Sequence, residues 1–322
     1  MNVLLTCAGR RNSLLKAFQE AVRPWNGHII AGDRDALAPT LYQADEAVHL
    51  PDVAGPDYVP RLLDLVQQHN LGLIVPTIDP ELPILAEAAP ALAEHQCCAL
   101  VSTPAFVHLA ADKWAMVQTY AAHGFRTPPS WIPPHHTDAA LPERLFVKPR
   151  AGSAGQDAYR VHHDHLAHAL ALVQNPIIQQ EIQAPEITID ALLTFDGELI
   201  HYVPRRRIRT LAGESIQSVT VADETLRPWL IEVLAFSATL GARGPQTLQA
   251  FLTKDGPVLL EINPRFGGGF PLTLAAGGHY PAWILRMLHG RSIAPCLGAY
   301  QSGLYMTRYY VEHFTEHPLW SA

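Results

Sequence analysis

A lysine and a loop of small residues stand together near the middle of the chain. Phe146-Val147-Lys148-Pro149 ends an apolar run, and Ala151-Gly152-Ser153-Ala154-Gly155 follows at once. An ammonium group beside backbone amides that only small residues leave accessible is typical of a phosphate site. The predicted contacts are Lys148, Ser153, Ala154 and Gly155. For this segment alone, a glycine- and serine-rich hairpin with one surface lysine is the alternative.

Polar residues also interrupt the apolar segment Leu259-Leu260-Glu261-Ile262-Asn263-Pro264-Arg265. Side chains alternate along a strand, so Glu261 and Asn263 share a face, and the hairpin signal Asp255-Gly256 brings Gln249 to their side. Oxygen ligands grouped in this way suit Mg²⁺, which takes one or two carboxylates together with phosphates and water. We therefore predict Gln249, Glu261 and Asn263 as metal ligands. An incidental polar pair on an edge strand is the alternative.

A third segment, Gln179 to Asp190, carries acidic residues next to another apolar run. Alternation places Glu186, Thr188 and Asp190 on one face of the predicted strand. The backbone of Glu181 and Ile182 could contact an adenine edge, and the carboxylate of Glu186 could accept hydrogen bonds from ribose hydroxyls. A merely solvated acidic face is the alternative here.

A basic run follows at Arg205, Arg206, Arg207 and Arg209. Alternation predicts that Arg205, Arg207 and Arg209 point one way and Arg206 the other. Guanidinium groups bind carboxylates in a bidentate manner, so the first three are predicted substrate contacts. A structural, salt-bridged strand is the alternative. Gly268 lies in the glycine-rich turn 266–271, whose backbone amides could stabilise an oxyanion or could form a bare turn.

Two kinds of sheet are predicted to position these residues. In the first hundred residues short apolar strands alternate with helices, which indicates a parallel sheet covered on both faces. From Leu145 onward strands and hairpin signals dominate, which indicates antiparallel pairing. We predict an α/β plus α+β protein with three parts: residues 1–105, a linker helix and small subdomain at 106–180, and a C-terminal subdomain with a tail at 181–322. Parallel sheets bind ligands at their carboxyl ends, which adds further candidate substrate contacts, namely Gly9, Arg10, Arg11, Asp79 and Glu81.

Composition excludes several classes of protein. The 322 residues are 48% hydrophobic and 16% charged, with a formal charge of −7. This balance predicts a folded chain and argues against a nucleic-acid or anionic-membrane partner. Four cysteines without CxxC spacing and the lack of a signal-like N-terminus indicate a cytoplasmic protein. The histidines between His162 and His168 predict a solvated helix rather than a metal site, because no cysteine or carboxylate joins them at ligand spacing.

Taken together and in this order, these segments resemble the ATP-grasp superfamily, within it the branch typified by the carbamoyl-phosphate synthase large subunit. Residues 1–100 resemble the parallel-sheet domain that precedes the grasp fold in that branch. Asp112-Lys113 at the start of a helix resembles the first nucleotide-binding lysine, and VKPRAGSAG resembles the second with its glycine loop. QQEIQAPEITID resembles the adenine and ribose hinge, and LLEINPRFGGG resembles the magnesium strand with the turn after it.

The resemblance implies an ADP-forming ligase that activates a small carboxylate, such as an amino acid, as an acyl phosphate for attack by an amine. It implies that Lys113 and Lys148 hold phosphates, that Gln249, Glu261 and Asn263 hold two Mg²⁺ ions, with Mn²⁺ as a substitute, and that Arg265 faces the transferring phosphoryl group. Arg207 and Lys148 are further catalytic candidates. Small-molecule substrates and a homodimer are the expected partners.

Two features limit this interpretation. The chain has one grasp unit and is far shorter than a carbamoyl-phosphate synthase large subunit, so carbamoyl phosphate synthesis is not expected. The short separation between Gln249 and Glu261 makes Gln249 the least secure ligand. An ATP-binding sensor without turnover is the main alternative. An NAD-type oxidoreductase ranks lower, because Asp33 follows the second strand but the full GxGxxG pattern is absent.

Overall fold

A five-stranded parallel sheet forms the N-terminal part of the computed structural model, which describes residues 1–133, 141–152, 157–211 and 214–321. Its strand order is β3-β2-β1-β4-β5, and every pairing is parallel. The order reverses direction between β1 and β4, which is where open parallel sheets bind ligands. The strands are β1 (Asn2–Leu5), β2 (Ile29–Asp33), β3 (Glu46–His49), β4 (Leu71–Val75) and β5 (Cys98–Ala99).

Amphipathic helices cover both faces of this sheet. In α1, buried side chains recur at helical spacing at Leu14, Leu15, Phe18, Ala21 and Val22, so one stripe faces the core. The helices of this part are α1 (Asn12–Val22), α2 (Tyr58–His69) and α3 (Leu82–Glu94), followed by α4 (Pro104–Ala111) and α5 (Lys113–Ala122). Single 3₁₀ turns occupy Arg23–Trp25, Leu41–Gln43 and Asp79–Glu81.

A small four-stranded sheet follows, which we call the lid sheet. Its order is β6-β9-β7-β8 with antiparallel pairing throughout. It contains β6 (Ser130–Trp131), β7 (Arg144–Pro149), β8 (Tyr159–His162) and β9 (Pro176–Gln180), with a 3₁₀ turn at His163–His165 and α6 (Leu166–Leu172). Leu145, Val147 and Ile178 of the strands pack with Leu166 and Ala169 of α6, so this sheet has its own small core.

The third sheet has six strands in the order β14-β13-β10-β11-β12-β15, all antiparallel. One face packs against α4, α5 and α7 through a core that includes Tyr120, Tyr202 and Leu234. The strands are β10 (Glu186–Leu193), β11 (Leu199–Leu211), β12 (Glu214–Thr220), β13 (Gly244–Thr253), β14 (Gly256–Asn263) and β15 (Tyr305–Thr307). The helices are α7 (Arg227–Thr239), α8 (Phe270–Ala275) and α9 (Tyr280–Leu288).

The first and third sheets share a core. Phe18 of α1 contacts Phe266 edge to face, with ring centroids 5.9 Å apart, and Phe270 and Tyr280 belong to the same buried cluster. Aromatic contacts of this kind add packing energy beyond the area they bury. The turn that follows β14 is therefore fixed against the N-terminal sheet.

The predicted fold class, a parallel sheet followed by antiparallel sheets, is confirmed. The expected divisions near residues 105 and 180 stay predictions. The edge strand β15 was not predicted. All four cysteines are free. Among the described helices, none is both long and apolar enough to cross a bilayer.

Candidate active site

A cleft of about 1170 Å³ lies where the three sheets meet. The N-terminal sheet contributes residues that follow β1 and β4, the lid sheet contributes the ends of β7 and β9, and the third sheet contributes β10, β11, β13 and β14. Most of the residues singled out from the sequence line this cleft. Those outside the cleft are considered separately below.

Two lysines share the wall between the lid sheet and α5. Lys113 is 8% exposed and Lys148 is 7% exposed, and among the described residues neither forms an ion pair. The Lys113 ammonium donates to the carbonyl of Gly152 at 2.5 Å. Two buried cations without carboxylate partners favour an anionic ligand, because a buried charge is costly unless it is paired.

The start of α5 explains why these lysines converge. The side chain of Asp112 caps the helix by accepting hydrogen bonds from the amides of Trp114 and Ala115 at 3.0 and 3.2 Å. The same carboxylate accepts from Nε and Nη2 of Arg150, at 2.6 and 2.5 Å, just beyond β7. Burial opposes ionisation of Asp112, but these hydrogen bonds outweigh it and lower its pKa. The N-terminus of α5 is thereby fixed to the end of the strand that carries Lys148.

The electrostatics of the lysines follow from their burial. Desolvation lowers the pKa of Lys148 to about 8, with Lys113 adding to the effect and Glu261 and Glu186 opposing it. Desolvation also lowers the pKa of Lys113, although the negative charges of Glu261, Asp79 and Asp112 oppose this shift. Both ammonium groups therefore lie within the field of the carboxylate on β14. A phosphate in the cleft would restore the charge balance.

The predicted metal ligands form one group on the hairpin of β13 and β14. Gln249 pairs directly with Glu261, and Thr247 pairs with Asn263. The Asn263 amide donates to Oε1 of Glu261 at 3.3 Å, and Gln249, Glu261 and Asn263 all line the cleft. One carboxylate and two amide oxygens form a donor set that fits Mg²⁺. Gln249 and Glu261 lie close in sequence because a tight hairpin joins β13 to β14.

The expected nucleotide hinge lies between β9 and β10. Glu181, Ile182 and Glu186 line the cleft, but the Glu181 amide donates to the Arg144 carbonyl at 3.1 Å and cannot contact a base. The Glu181 carbonyl and the Ile182 amide are the groups in this segment that could do so. The carboxylate of Glu186 accepts a hydrogen bond from Arg207, so these two predicted site residues neutralise each other.

Arg205 lies beneath the glycine turn. It is 2% exposed, its Nε donates to Asp190 at 3.2 Å, and its Nη1 is buried without a hydrogen-bond partner among the described residues. Asp190, also 2% exposed, accepts from Thr247 and Thr273 at 3.2 and 2.6 Å. A Cβ on Gly269 would lie 2.3 Å from Cζ of Arg205, so a larger residue there would displace the buried guanidinium. Sequence reasoning missed this network, since its members lie on β10, β11, β13 and α8.

Arg265 connects β14 to the N-terminal sheet. Its Nη2 donates to Oδ2 of Asp79 at 2.6 Å, and both residues line the cleft, together with Arg10 and Arg11. Of the candidates after β1 and β4, Arg10, Arg11 and Asp79 thus line the cleft, whereas Gly9 does not, and its amide donates to Asp33 at 2.7 Å. Gly268 also lies on the wall, and its carbonyl accepts a hydrogen bond from Arg308 of the C-terminal segment, which sequence reasoning did not consider.

Several predicted residues lie elsewhere. Arg209 does not line the cleft, because irregular pairing on both sides of it breaks the alternation of β11 and presents Thr210 instead. Glu81 faces the core with 0% exposure and bonds to Tyr58. Ser153, Ala154 and Gly155 lie outside the described residues. His162 and His163 do have a carboxylate at ligand distance, that of Asp164, contrary to expectation.

Comparisons with known proteins agree with this architecture. Residues 3–100 match a family model described as PylC-like, N-terminal domain, and residues 173–308 match one described as ATP-grasp in the biosynthetic pathway with Ter operon. No curated protein matches this chain in sequence.

Solved structures share the ATP-grasp fold at low identity. Biotin carboxylase from Campylobacter jejuni, in a β-γ-ATP complex, has a TM-score of 0.76 at 15% identity over 94% of this chain and 74% of that one. The biotin carboxylase domain of Hydrogenobacter thermophilus 2-oxoglutarate carboxylase, with MgADP and bicarbonate, has a TM-score of 0.75 at 15% identity, covering 94% and 73%. L-amino acid ligase from Bacillus licheniformis has a TM-score of 0.70 at 20% identity, covering 89% and 74%. The chain thus has the fold of these structures.

Proposed function

We propose that this protein is an ADP-forming ligase that activates a small carboxylic acid as an acyl phosphate and transfers the acyl group to an amine. The observation that carries the proposal is the meeting of three features in one cleft: two buried lysines, a hairpin of oxygen ligands and the Arg265–Asp79 pair. Phosphoryl transfer depends mainly on positioning and charge stabilisation, and these features supply both.

The roles proposed for the chain's own residues follow from their positions. Lys113 and Lys148 bind the nucleotide phosphates, and the Glu181 carbonyl and Ile182 amide bind the base. Glu261, Asn263 and Gln249 would hold Mg²⁺, which neutralises phosphate charge when bound. We propose two ions, by analogy with the family, with Mn²⁺ as a substitute.

The chemistry balances in two displacements. A carboxylate oxygen of the acid attacks the γ-phosphorus, and the bond to ADP breaks while Arg265 stabilises the charge on the transferring group. The amine nitrogen then attacks the acyl carbon, phosphate leaves, and the amine loses a proton as the C–N bond forms. Arg205, with its unpaired Nη1 beside the glycine turn, would bind the acid, and Arg207 borders the same wall. An amino acid is among the candidate acids.

Phosphate release tests the proposal. Purified protein with ATP and Mg²⁺ is supplied with a panel of amino acids and other small carboxylates, each with and without amine acceptors. We expect release that requires one acid, together with an amide product detected by mass spectrometry. Glu261→Gln should abolish it, whereas Asp255→Asn, an exposed substitution in the turn of the same hairpin, should not.

The alternative of an ATP-binding sensor makes a different prediction. Tight nucleotide binding with no turnover on any mixture, unchanged by Glu261→Gln, would favour the sensor and contradict the ligase. The homodimer also stays a prediction, and sedimentation of the purified chain would test it.

A further inference from the structure

Two imidazoles and a carboxylate meet on the surface of the lid sheet, outside the cleft. We call His162, His163 and Asp164 the lid histidine cluster. Each offers a ligand atom, and these atoms lie within 4.8 Å of one another. Across the described ranges 1–133, 141–152, 157–211 and 214–321, no other three His, Cys, Asp or Glu residues meet this condition. The cluster takes no part in the ligase reaction proposed above.

The local backbone brings these consecutive residues together. His162 ends β8, paired with Arg144 of β7, and the His163 amide donates to the Glu143 carbonyl at 2.9 Å. The chain then enters the 3₁₀ turn His163–His165. Along a strand, neighbouring side chains would point to opposite faces. The change from strand to turn instead directs His162, His163 and Asp164 toward a common point.

The spacing of the donor atoms matches metal coordination. Oδ2 of Asp164 lies 3.1 Å from Nδ1 of His162, and Oδ1 lies 3.0 Å from Nε2 of His163. The imidazole centroids are 4.5 Å apart. Ligands bound at about 2.0–2.2 Å to one ion, at angles of about 90 to 110°, lie roughly 3.0–3.5 Å from each other. The contacts on both oxygens of Asp164 agree with this range.

A second carboxylate orients His162. Nε2 of His162, the ring nitrogen that does not contact Asp164, lies 3.3 Å from Oε1 of Glu143. The Asp164 amide donates to Nδ1 of His162 at 3.4 Å, which assigns the ring proton to Nε2, where it can be donated to Glu143. In this tautomer Nδ1 presents its lone pair to the side of the ring on which Asp164 lies, and a metal ion bound there would replace the long hydrogen bond from the amide. Metal-bound histidines commonly donate their other N–H to a carboxylate in this manner.

We propose that the lid histidine cluster binds one divalent transition-metal ion of the Zn²⁺ class, with Glu143 as the residue that positions His162. Imidazole nitrogen is a ligand for such ions, whereas Mg²⁺ prefers oxygen ligands alone. The side chains of His162, His163 and Asp164 are 38%, 47% and 68% exposed, so the ion enters directly from solvent and water completes its coordination. A proton is the competing cation, as an imidazolium between two carboxylates, and the experiment distinguishes the two.

Metal titration of the full-length protein tests the site. Zn²⁺ is added without nucleotide, in excess Mg²⁺ to cover the cleft, and binding is followed by competition with a chromophoric chelator. We expect one saturable site per chain. His163→Ala and Asp164→Asn should each weaken it by about tenfold or more, and Glu143→Gln by about tenfold. Co²⁺ should show visible absorption bands typical of nitrogen and oxygen ligands, and these bands should disappear in His163→Ala.

Two control variants make the outcome decisive. His108→Ala removes an exposed histidine that pairs with Glu87 at 3.5 Å elsewhere on the surface, and it should leave Zn²⁺ affinity unchanged. Glu261→Gln removes a proposed metal ligand of the cleft, so Zn²⁺ binding that this variant retains is assigned to another site. Zn²⁺ should raise the thermal midpoint of the wild type and of His108→Ala, but not that of His163→Ala. Equal Zn²⁺ affinity in His163→Ala and wild type, or the lack of a saturable site in the wild type, would show an ordinary solvated ion pair instead.

Discussion

Glu81 is a carboxyl group buried beneath the cleft, two residues beyond Asp79. It is 0% exposed and accepts a hydrogen bond from the Tyr58 hydroxyl at 2.5 Å, beside the Cys7 thiol. Burial raises the pKa of Glu81 from 4.5 to about 7, although hydrogen bonds with Thr6, Tyr58 and Cys7 oppose the shift. The folded protein therefore binds this proton more tightly than the unfolded chain does.

The sign of the pH dependence follows from linkage. A raised folded pKa contributes stability that is fully present below the unfolded pKa, near 4.5, and is lost as pH rises through about 7. A difference of one in pKa corresponds to about 1.4 kcal/mol. The rise from 4.5 to about 7 therefore corresponds to a loss of stability on the order of 3 kcal/mol. Glu81→Gln keeps an acceptor for Tyr58 and removes the charge, so the variant should lack this loss.

Urea denaturation at a series of pH values measures this effect. The free energy of unfolding of Glu81→Gln should exceed that of the wild type by an amount that grows from near zero at about pH 4.5 to on the order of 3 kcal/mol above about pH 7. Glu94→Gln, at the exposed end of α3, should show no such trend. A difference that is constant across this range would refute the assignment of Glu81 as the titrating group.

Three further substitutions test the cleft. Asp190→Asn should lower the free energy of unfolding by about 3–5 kcal/mol, because it leaves the charge of Arg205 buried and unpaired; a drop below about 1 kcal/mol in urea would contradict the pairing. Lys148→Met should weaken ATP binding by roughly tenfold to a hundredfold in calorimetry, through loss of a charge-assisted hydrogen bond, without destabilising the free protein; unchanged affinity would remove Lys148 from the site. Asp79→Asn should lower kcat by up to about a hundredfold with little change in the KM for ATP, because Arg265 loses its orientation; a change in KM alone would assign Asp79 to binding.

Periodicity within a segment predicted much of the fold and of the site. The alternation of Glu261 and Asn263, with the Asp255-Gly256 turn, was enough to predict a hairpin that brings Gln249 beside them. The strand–turn–helix pattern of the first hundred residues predicted a parallel sheet, and hence a role for the residues after β1 and β4. These features are local, or they follow from the chirality and order of a parallel sheet.

The remaining features depend on contacts between distant segments. The irregular pairing around Arg209 arises from the partner strand β12, and it overrides the alternation that the arginine run suggests. Glu81 was a candidate because of its position after a strand, but its neighbour Tyr58 lies in α2 and its burial is a tertiary property. The Asp190 carboxylate accepts a hydrogen bond from Thr273, 83 positions away, a separation at which no sequence pattern indicates contact.

The Arg265–Asp79 pair makes phosphoryl transfer dependent on the N-terminal sheet. Arg265 lies two residues beyond β14, the strand that carries two of the proposed metal ligands, yet its guanidinium is oriented by a carboxylate 186 positions earlier, in the turn after β4. The Phe18–Phe266 contact fixes the turn after β14, in which Phe266 directly follows Arg265. A shift of the N-terminal sheet by about 1 Å would break the hydrogen bond and move the arginine, and misplacement on that scale can cost about a hundredfold in rate. The domain that precedes the grasp fold is therefore part of the proposed catalytic machinery, because it sets the orientation of Arg265 as well as lining the substrate end of the cleft.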